Sequence, residues 1–148
     1  MSTISKQITI RELNTFDEML PAFALISQMH KHLDFETYKS SISEMIRVNN
    51  FKMIAAFLDE KMVGVSGYWV FLMLYCGRYI QASNFVVDSE MQGVGIGKKI
   101  LEHLEIIGKK LSCEKIVLDS YTENKKSHPL YFREGFHIRG FHFMKQIC

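Results

Sequence analysis

A strand, a glycine-rich loop and a helix follow one another near the middle of this chain. The apolar pair Val86-Val87 ends a predicted strand, glycines occupy positions 93, 95 and 97, and an amphipathic helix begins close to Gly95. The first turn of a helix leaves backbone N–H groups without partners and carries the positive end of the helix dipole. Glycine lets the backbone approach an anion closely because it has no side chain. The stretch therefore predicts a binding site for a phosphate or pyrophosphate.

The spacing of the glycines separates three kinds of phosphate loop. A Walker A loop reads G-x-x-x-x-G-K-[ST], but Gly93 and Gly97 are one residue too close, and Lys99 stands where Ser or Thr is needed. A Rossmann loop reads G-x-G-x-x-G after a first strand, whereas the pattern here is G-x-G-x-G in mid-chain. Asp119 ends a later strand at a spacing suited to a ribose contact, so a dinucleotide site stays open as an alternative. A glycine-rich turn without a ligand is the simplest alternative.

The third pattern, Q/R-x-x-G-x-G/A, fits Gln92, Gly95 and Gly97, with a strand before it and a helix after it. This stretch resembles the acyl-CoA pyrophosphate loop of the GNAT superfamily of N-acetyltransferases. A second signature of that superfamily, N-x-x-A-x-x-[FL]-Y-x-x-x-G-F, is matched in register by Asn124, Ser127, Leu130, Tyr131, Gly135 and Phe136, with Ser127 in place of the usual Ala. The run 127–136 also resembles small bacterial members whose acceptors are mostly unassigned.

The order of predicted elements agrees with this resemblance. Hydrophobic periodicity predicts strands at 7–12, 53–58, 62–75, 78–87, 115–119 and 136–147, and helices at 16–29 with a bend at Pro21, at 35–49 after the cap Asp34, at 95–111 and at 124–134. Short connections predict antiparallel pairing, whereas the helix between strands 78–87 and 115–119 predicts a parallel pair. We therefore expect one α+β domain, residues 1–148, with the GNAT fold: a mixed, mostly antiparallel sheet of about six to seven strands flanked by about four helices.

Composition excludes several functional classes. The formal net charge of +2 is too small to favour binding to nucleic acid or to a membrane surface, and no apolar run is long enough to span a membrane. The first residues lack the form of a signal peptide, and Cys76, Cys113 and Cys148 form no C-x-x-C pair. We therefore expect a cytoplasmic protein without a metal site or a disulfide framework.

The resemblance implies acetyl-CoA as cosubstrate and indicates which residues would hold it. The strand end, Phe85, Val86 and Val87, would offer backbone groups to the pantetheine arm. The pyrophosphate would lie on the loop formed by Gln92, Gly93, Val94, Gly95, Ile96, Gly97 and Lys98. The cofactor site would be completed by Asn124, by Lys126 near the outer phosphate, and by Ser127, whose small side chain permits a close approach.

The resemblance also implies that Tyr131 is the general acid that protonates the departing thiolate, since a phenol stays protonated at neutral pH. The base is less evident. Many relatives carry Asp or Glu on the strand before the loop, and here that stretch is Gln81-Ala82-Ser83-Asn84. Two routes stay open for deprotonating the amine: ordered waters held by Ser83 and Asn84, or the imidazole of His128 on the helical face of Tyr131.

The reaction implied by the resemblance is direct attack of a small-molecule primary amine on the thioester, through a tetrahedral intermediate. Because the strand carboxylate is missing, a non-catalytic acyl-CoA-binding module is the alternative function. The apolar segment 136–141 permits a homodimer through C-terminal strands, as in many relatives. We expect His30 and His32 at an exposed helix end, and the alternative position for them is the entrance of the acceptor site.

Overall fold

The computed structural model describes residues 7–148 and contains one sheet of five strands. The strands are β1 (Ile8–Leu13), β2 (Lys52–Leu58), β3 (Lys61–Met73), β4 (Gly77–Val87) and β5 (Lys115–Leu118). They lie across the sheet in chain order. β2, β3 and β4 pair antiparallel through direct connections, and β5 pairs parallel to β4 because a helix crosses between them. β1 also pairs antiparallel with β2, although helices separate the two strands in the chain. The predicted pairing directions are thereby confirmed.

The α-helices are α1 (Phe16–Met19), α2 (Phe23–Met29), α3 (Phe35–Asn49), α4 (Ile96–Lys110) and α5 (His128–Arg133). A 3-10 turn, Leu20–Ala22, joins α1 to α2 at Pro21, so the two form the bent helix that the sequence predicts. Thr15 and Asp34 cap α1 and α3 by accepting hydrogen bonds from the backbone N–H groups of Glu18 and Thr37. None of the helices described between residues 7 and 148 is long and apolar enough to cross a membrane.

The two faces of the sheet pack differently. On one face, Phe51 is 1% exposed and its ring centroid lies 4.9 Å from that of Trp69, inside a core shared with α1, α2 and α3. Gly67 lies against this ring, and a methyl group there would collide with the Phe51 ring. On the other face, α4 packs so closely on β3 that a Cβ at Gly64 would lie 2.9 Å from side-chain atoms of Ile96 and Ile100.

A β-bulge interrupts β4 near its carboxyl end. Val86 pairs with Val65 and Ser83 pairs with Gly67, so Asn84 and Phe85 together stand opposite the single residue 66. Asn84 has a φ of +54°, in the left-handed region. The extra residue inverts the alternation of side chains, and Ser83 and Val86 therefore face the same side of the sheet.

The described chain divides into two compact units, the first ending at Leu118 and the second comprising Asp119–Cys148. The first contains the sheet and α1 to α4, and the second contains α5. The predicted strand or hairpin at 136–147 is wrong, since these residues join no ladder in the described chain. Extended backbone is stable only when its N–H and C=O groups have partners, and this segment pairs with no strand. The sheet therefore has five strands rather than six or seven.

Two smaller predictions also need correction. The helix predicted from residue 124 begins at His128, because Pro129 fits the first helical turn, where its missing N–H costs nothing. Residues 124–127 instead form turns, with the Ser127 N–H donating to the Asn124 carbonyl at 3.2 Å. The second concerns strand 115–119, whose apolar run predicts a buried strand, whereas the four residues of β5 are half-buried or exposed.

Candidate active site

The carboxyl end of β4 extends past its neighbour β5. The parallel pairing ends at Ala82 with Leu118, whereas Val86 and Val87 continue to pair with β3. The Val86 side chain enters the core shared with α2 and α3. A strand that extends beyond the end of its neighbour can form backbone hydrogen bonds with an extended ligand.

The glycine loop has the conformation that its sequence suggests. Gly93 and Gly95 have φ angles of +82° and +91°, which residues with a side chain rarely adopt. Gly95 is the N-cap of α4 and supplies no side chain to cap it. The first backbone bond of the helix runs from the Lys99 N–H to the Gly95 carbonyl at 3.2 Å. The N–H groups of residues 96–98 precede this bond, at the positive end of a 15-residue helix.

The two lysines after the loop differ in their contacts. The Lys98 ammonium lies 3.9 Å from the Glu102 carboxylate, and both side chains are about half exposed. Such an exposed pair is weak, so Lys98 can turn towards an anion at the loop at little cost. The Lys99 ammonium donates to the Ile8 carbonyl at 3.4 Å and ties α4 to β1. Lys98 is therefore the lysine suited to the loop.

Asp88, which follows β4, is a structural residue. Its carboxylate accepts a hydrogen bond from the Glu90 N–H at 3.1 Å and lies 3.9 Å from the Lys61 ammonium. It caps the 3-10 turn Ser89–Met91 that leads into the glycine loop. These contacts engage the Asp88 carboxylate and fix the backbone where the chain enters the glycine loop.

The side chain of His30 lies against the bulge in β4. His30 Nε2 and Asn84 Oδ1 are 2.9 Å apart, and both residues are half-buried. His32, two residues further on, is exposed. The expectation of an exposed helix end is thus correct for His32 and wrong for His30. No local pattern could reveal the contact, because its partners are 54 residues apart in sequence.

In the second unit, the end of α5 explains the Y-x-x-x-G-F signature. The Phe136 N–H donates to the Tyr131 carbonyl at 2.9 Å, and the Gly135 N–H donates to the Phe132 carbonyl at 3.2 Å. This is a Schellman cap, in which Gly135 takes the left-handed conformation, with a φ of +90°. The rings of Tyr131 and Phe136 meet edge to face at 6.0 Å, which supplies the apolar contact of the motif.

Gly135→Ala is expected to lower the free energy of unfolding by about 1 kcal/mol, because alanine at positive φ is strained. Chemical denaturation of the two proteins measures the difference. Gly135→Asn is the matched control, since asparagine tolerates the left-handed conformation. Equal destabilisation by Ala and Asn would contradict a role for the backbone conformation.

The environment of Tyr131 keeps its phenol protonated. Burial raises the pKa of Tyr131 above its usual value, and a hydrogen bond with the Ser127 side chain offsets part of that rise. Ser127 in turn donates to the Asn124 amide oxygen at 3.3 Å. The second signature therefore brings together three of its residues in one small cluster: Asn124, Ser127 and Tyr131.

The two other predicted site residues of this unit are His128 and Lys126. His128 Nε2 lies 3.1 Å from both the Ser120 hydroxyl and the Tyr121 carbonyl, which anchors the loop before α5. A carbonyl only accepts, so Nε2 carries the hydrogen and the lone pair of the neutral ring is on Nδ1. Lys126 is exposed, as an ammonium directed to an outer phosphate would be.

Two depressions lie far from the glycine loop. They have volumes of about 240 and 170 Å³ and share Lys52, Tyr68 and Leu111 in their linings. Leu111 follows the last residue of α4, so both depressions are at the opposite end of this helix from the loop. Burial, together with the Glu12 carboxylate, raises the pKa of Tyr68 to about 12. No residue predicted to take part in the chemistry lines either depression.

The dinucleotide alternative receives no support from the fold. A Rossmann domain repeats parallel βαβ units, whereas this sheet has a single parallel pair among four pairings. The Asp119 carboxylate, the candidate ribose contact, lies 3.6 Å from His142 Nδ1. This architecture weighs against a dinucleotide-binding domain.

Comparison with known proteins agrees with these observations. The family model described as the acetyltransferase (GNAT) family matches residues 14–136. An uncharacterized N-acetyltransferase, YhdJ of Bacillus subtilis, is 20% identical over 141 residues, which cover 95% of this chain and 99% of that protein. A spermine/spermidine N(1)-acetyltransferase of the same species is 26% identical over 110 residues, covering 71% of this chain and 72% of the relative.

Solved structures show the same fold. An aminoglycoside N-acetyltransferase in complex with CoA superposes with a TM-score of 0.78 at 16% identity, and the match covers 95% of each chain. The family match extends over most of the sequence and spans both signatures. The chain therefore belongs to the acetyltransferase (GNAT) family and is an acetyl-CoA-dependent acyltransferase.

Proposed function

We propose that residues 1–148 act as a single domain that transfers the acetyl group of acetyl-CoA to a primary amine of a small molecule. The amine attacks the thioester directly, through a tetrahedral intermediate. The observation that carries this proposal is the glycine loop, where two left-handed glycines precede the open N–H groups of α4. The small-amine class is supported by relatives whose names specify spermine, spermidine or aminoglycosides.

Acetyl-CoA binding is assigned to both signatures. Backbone N–H groups from Gln92 to Lys98 hold the pyrophosphate, which neutralises the positive end of α4. The strand end, Phe85 to Val87, binds the pantetheine arm in the manner of an added strand. The second signature assigns Asn124, Lys126 and Ser127 to the cofactor as well. A backbone N–H at the strand end also polarises the thioester carbonyl, an effect worth roughly 3 kcal/mol in comparable sites.

Tyr131 is the general acid in this proposal. Its raised pKa keeps the phenol protonated at neutral pH, although the same shift makes it a weaker acid. The phenol therefore acts by hydrogen bonding to the sulfur as negative charge develops and by passing its proton at the end of C–S cleavage. His128, three residues earlier, is a candidate proton acceptor through Nδ1. Asn84, on β4, is assigned to the deprotonation of the amine.

The experiment that tests this function has two steps. Calorimetric titration with acetyl-CoA, with NAD as control, measures cofactor binding. Release of the CoA thiol is then followed with a panel of spermidine, an aminoglycoside, an amino sugar and simple alkylamines. We expect binding of acetyl-CoA alone and amine-dependent thiol release. Binding without release across the panel would favour the non-catalytic module, and failure to bind acetyl-CoA would overturn the proposal.

A substitution at Gly95 tests whether the glycine loop binds acetyl-CoA. Gly95→Val is expected to weaken acetyl-CoA binding at least tenfold, because a β-branched residue cannot adopt a φ of +91° and the loop must rearrange. Calorimetry measures the change in affinity. Gly95→Asn keeps the left-handed conformation and is expected to retain most of the affinity. Wild-type affinity in the valine variant would remove the loop from the binding site.

A homodimer stays a prediction. The apolar side chains of the C-terminal segment support it, since Phe141, Phe143 and Ile147 are each more than four-fifths exposed. Sedimentation at several protein concentrations measures the oligomeric state.

A further inference from the structure

Hydrogen bonds at the end of α2 position His30 against the bulge in β4. His30 ends α2, where its N–H donates to the Ile26 carbonyl at 2.9 Å. Two residues earlier, the Gln28 amide oxygen accepts a hydrogen bond from the Ser89 N–H at 3.1 Å. The end of α2 is therefore bonded to β4 at Asn84 and to the turn just after β4 at Ser89. These two hydrogen bonds hold the end of α2, and His30 with it, in one position against β4.

The hydrogen bond to Asn84 fixes the tautomer of the ring. An amide oxygen only accepts hydrogen bonds, so His30 Nε2 carries the hydrogen in its 2.9 Å bond to Asn84 Oδ1. In a neutral imidazole the lone pair is then on Nδ1. Among residues 7–148, Nδ1 of His30 has no hydrogen-bond partner. The arrangement leaves a nitrogen base at the bulge whose basic atom forms no hydrogen bond within the described residues.

The bulge lies next to the strand end assigned to the thioester. Asn84 precedes Val86 by two residues, so their Cα atoms are at most about 7 Å apart. Among the other groups near β4, the Asp88 carboxylate is engaged by the Glu90 N–H and by Lys61. The stretch Gln81–Asn84 has no carboxylate or imidazole of its own. His30 therefore supplies the basic side chain that this part of β4 lacks.

We propose that His30 is the general base that deprotonates the acceptor amine and that Asn84 is its positioning residue, an inference that rests on the proposed function. Nδ1 takes a proton from the ammonium group, directly or through one water, and leaves a neutral amine. The amine nitrogen bonds to the thioester carbon, and the C–S bond breaks. The sulfur receives the proton of the Tyr131 phenol. The second proton lost by the amine nitrogen then returns to the Tyr131 oxygen. His30 releases its proton to solvent, so the products are the N-acetylated amine, CoA and one proton.

The kinetic test compares His30→Gln with His32→Gln, the matched control at an exposed neighbouring position. We expect His30→Gln to lower kcat/KM about 100-fold at pH 7, within the usual range for a lost general base. The loss should shrink as the pH rises, because the fraction of neutral amine in solution grows. Calorimetric affinity for acetyl-CoA should be unchanged. An active wild-type enzyme with equal pH profiles in both variants would overturn the role of His30 and leave the proposed function intact.

His128→Gln separates the two imidazole candidates. If the pH profile changes in His128→Gln and not in His30→Gln, the base is His128 and this inference is wrong. A second measurement needs no acceptor. Long-range proton–nitrogen correlation spectra of the free protein report the tautomer of each histidine, and we expect His30 with its proton on Nε2. Asn84→Leu should abolish that preference, and a proton on Nδ1 in the wild-type protein would overturn the assignment.

Discussion

Replacing Tyr131 by Phe is expected to lower kcat about 100-fold while the affinity for acetyl-CoA stays nearly constant. The ring and its edge-to-face contact with Phe136 are retained, so only the hydroxyl is lost. The departing thiolate then has no donor to protonate it, and breakdown of the tetrahedral intermediate slows. Rapid-mixing measurement of CoA thiol release gives kcat, and calorimetry gives the affinity.

The pH dependence of kcat in wild type and in Tyr131→Phe tests whether the phenol acts in its protonated form. Because burial raises the pKa of Tyr131, the wild-type phenol keeps its proton past the usual titration near pH 10. A general acid works only while protonated, so its contribution should be complete at neutral pH and be lost only in strongly alkaline solution. Tyr121→Phe, at an exposed position of the same unit, is the control and should behave as wild type. Full activity in Tyr131→Phe would contradict the assignment.

Phe51→Ala is expected to lower the free energy of unfolding by about 3–5 kcal/mol, the usual cost of emptying a buried aromatic site. Phe51 is 1% exposed and packs on Trp69 and on the bare backbone of Gly67. Gly67→Ala should cost about 1–3 kcal/mol for the opposite reason, because its methyl group collides with the ring. Urea unfolding measures both effects.

The double variant tests whether the two sites share one space. In Phe51→Ala with Gly67→Ala, the new methyl group at 67 enters the space left by the ring, so the two costs should not add. Leu72→Ala, at the exposed end of the same strand, is the control and should change stability by less than about 0.5 kcal/mol. Simple additivity in the cycle would show that position 67 does not contact the ring.

Local patterns predicted most of the first unit. The helix α3 has the bounds 35–49 that its periodicity and its cap Asp34 indicated. The core face of α4 contains Ile96, Ile100 and Leu104, which stand at helical spacing in the sequence. These features depend on neighbours three or four residues apart, which the sequence displays directly. The glycine loop belongs to the same class, because left-handed glycines and a helix N-terminus are local.

The remainder depends on contacts between distant residues. The bond between His30 and Asn84 and the pairing of Gly67 with the Phe51 ring join segments that only the folded sheet brings together. The C-terminal segment was predicted as a strand from its apolar residues alone. Whether such a segment becomes a strand depends on a partner edge, which hydrophobic periodicity does not reveal.

The bulge in β4 also constrains how the length of this chain can change over evolution. Deleting one residue between Ser83 and Val86 would restore plain alternation and exchange the faces of Val86 and Val87. It would also draw the glycine loop back along the strand by about 3.3 Å. A change of length at the exposed Leu74, just beyond the last paired residue Met73, would leave the faces of the strand end unchanged. Insertions and deletions among homologous chains should therefore collect in the turn at 74–76 and be rare between the bulge and α4.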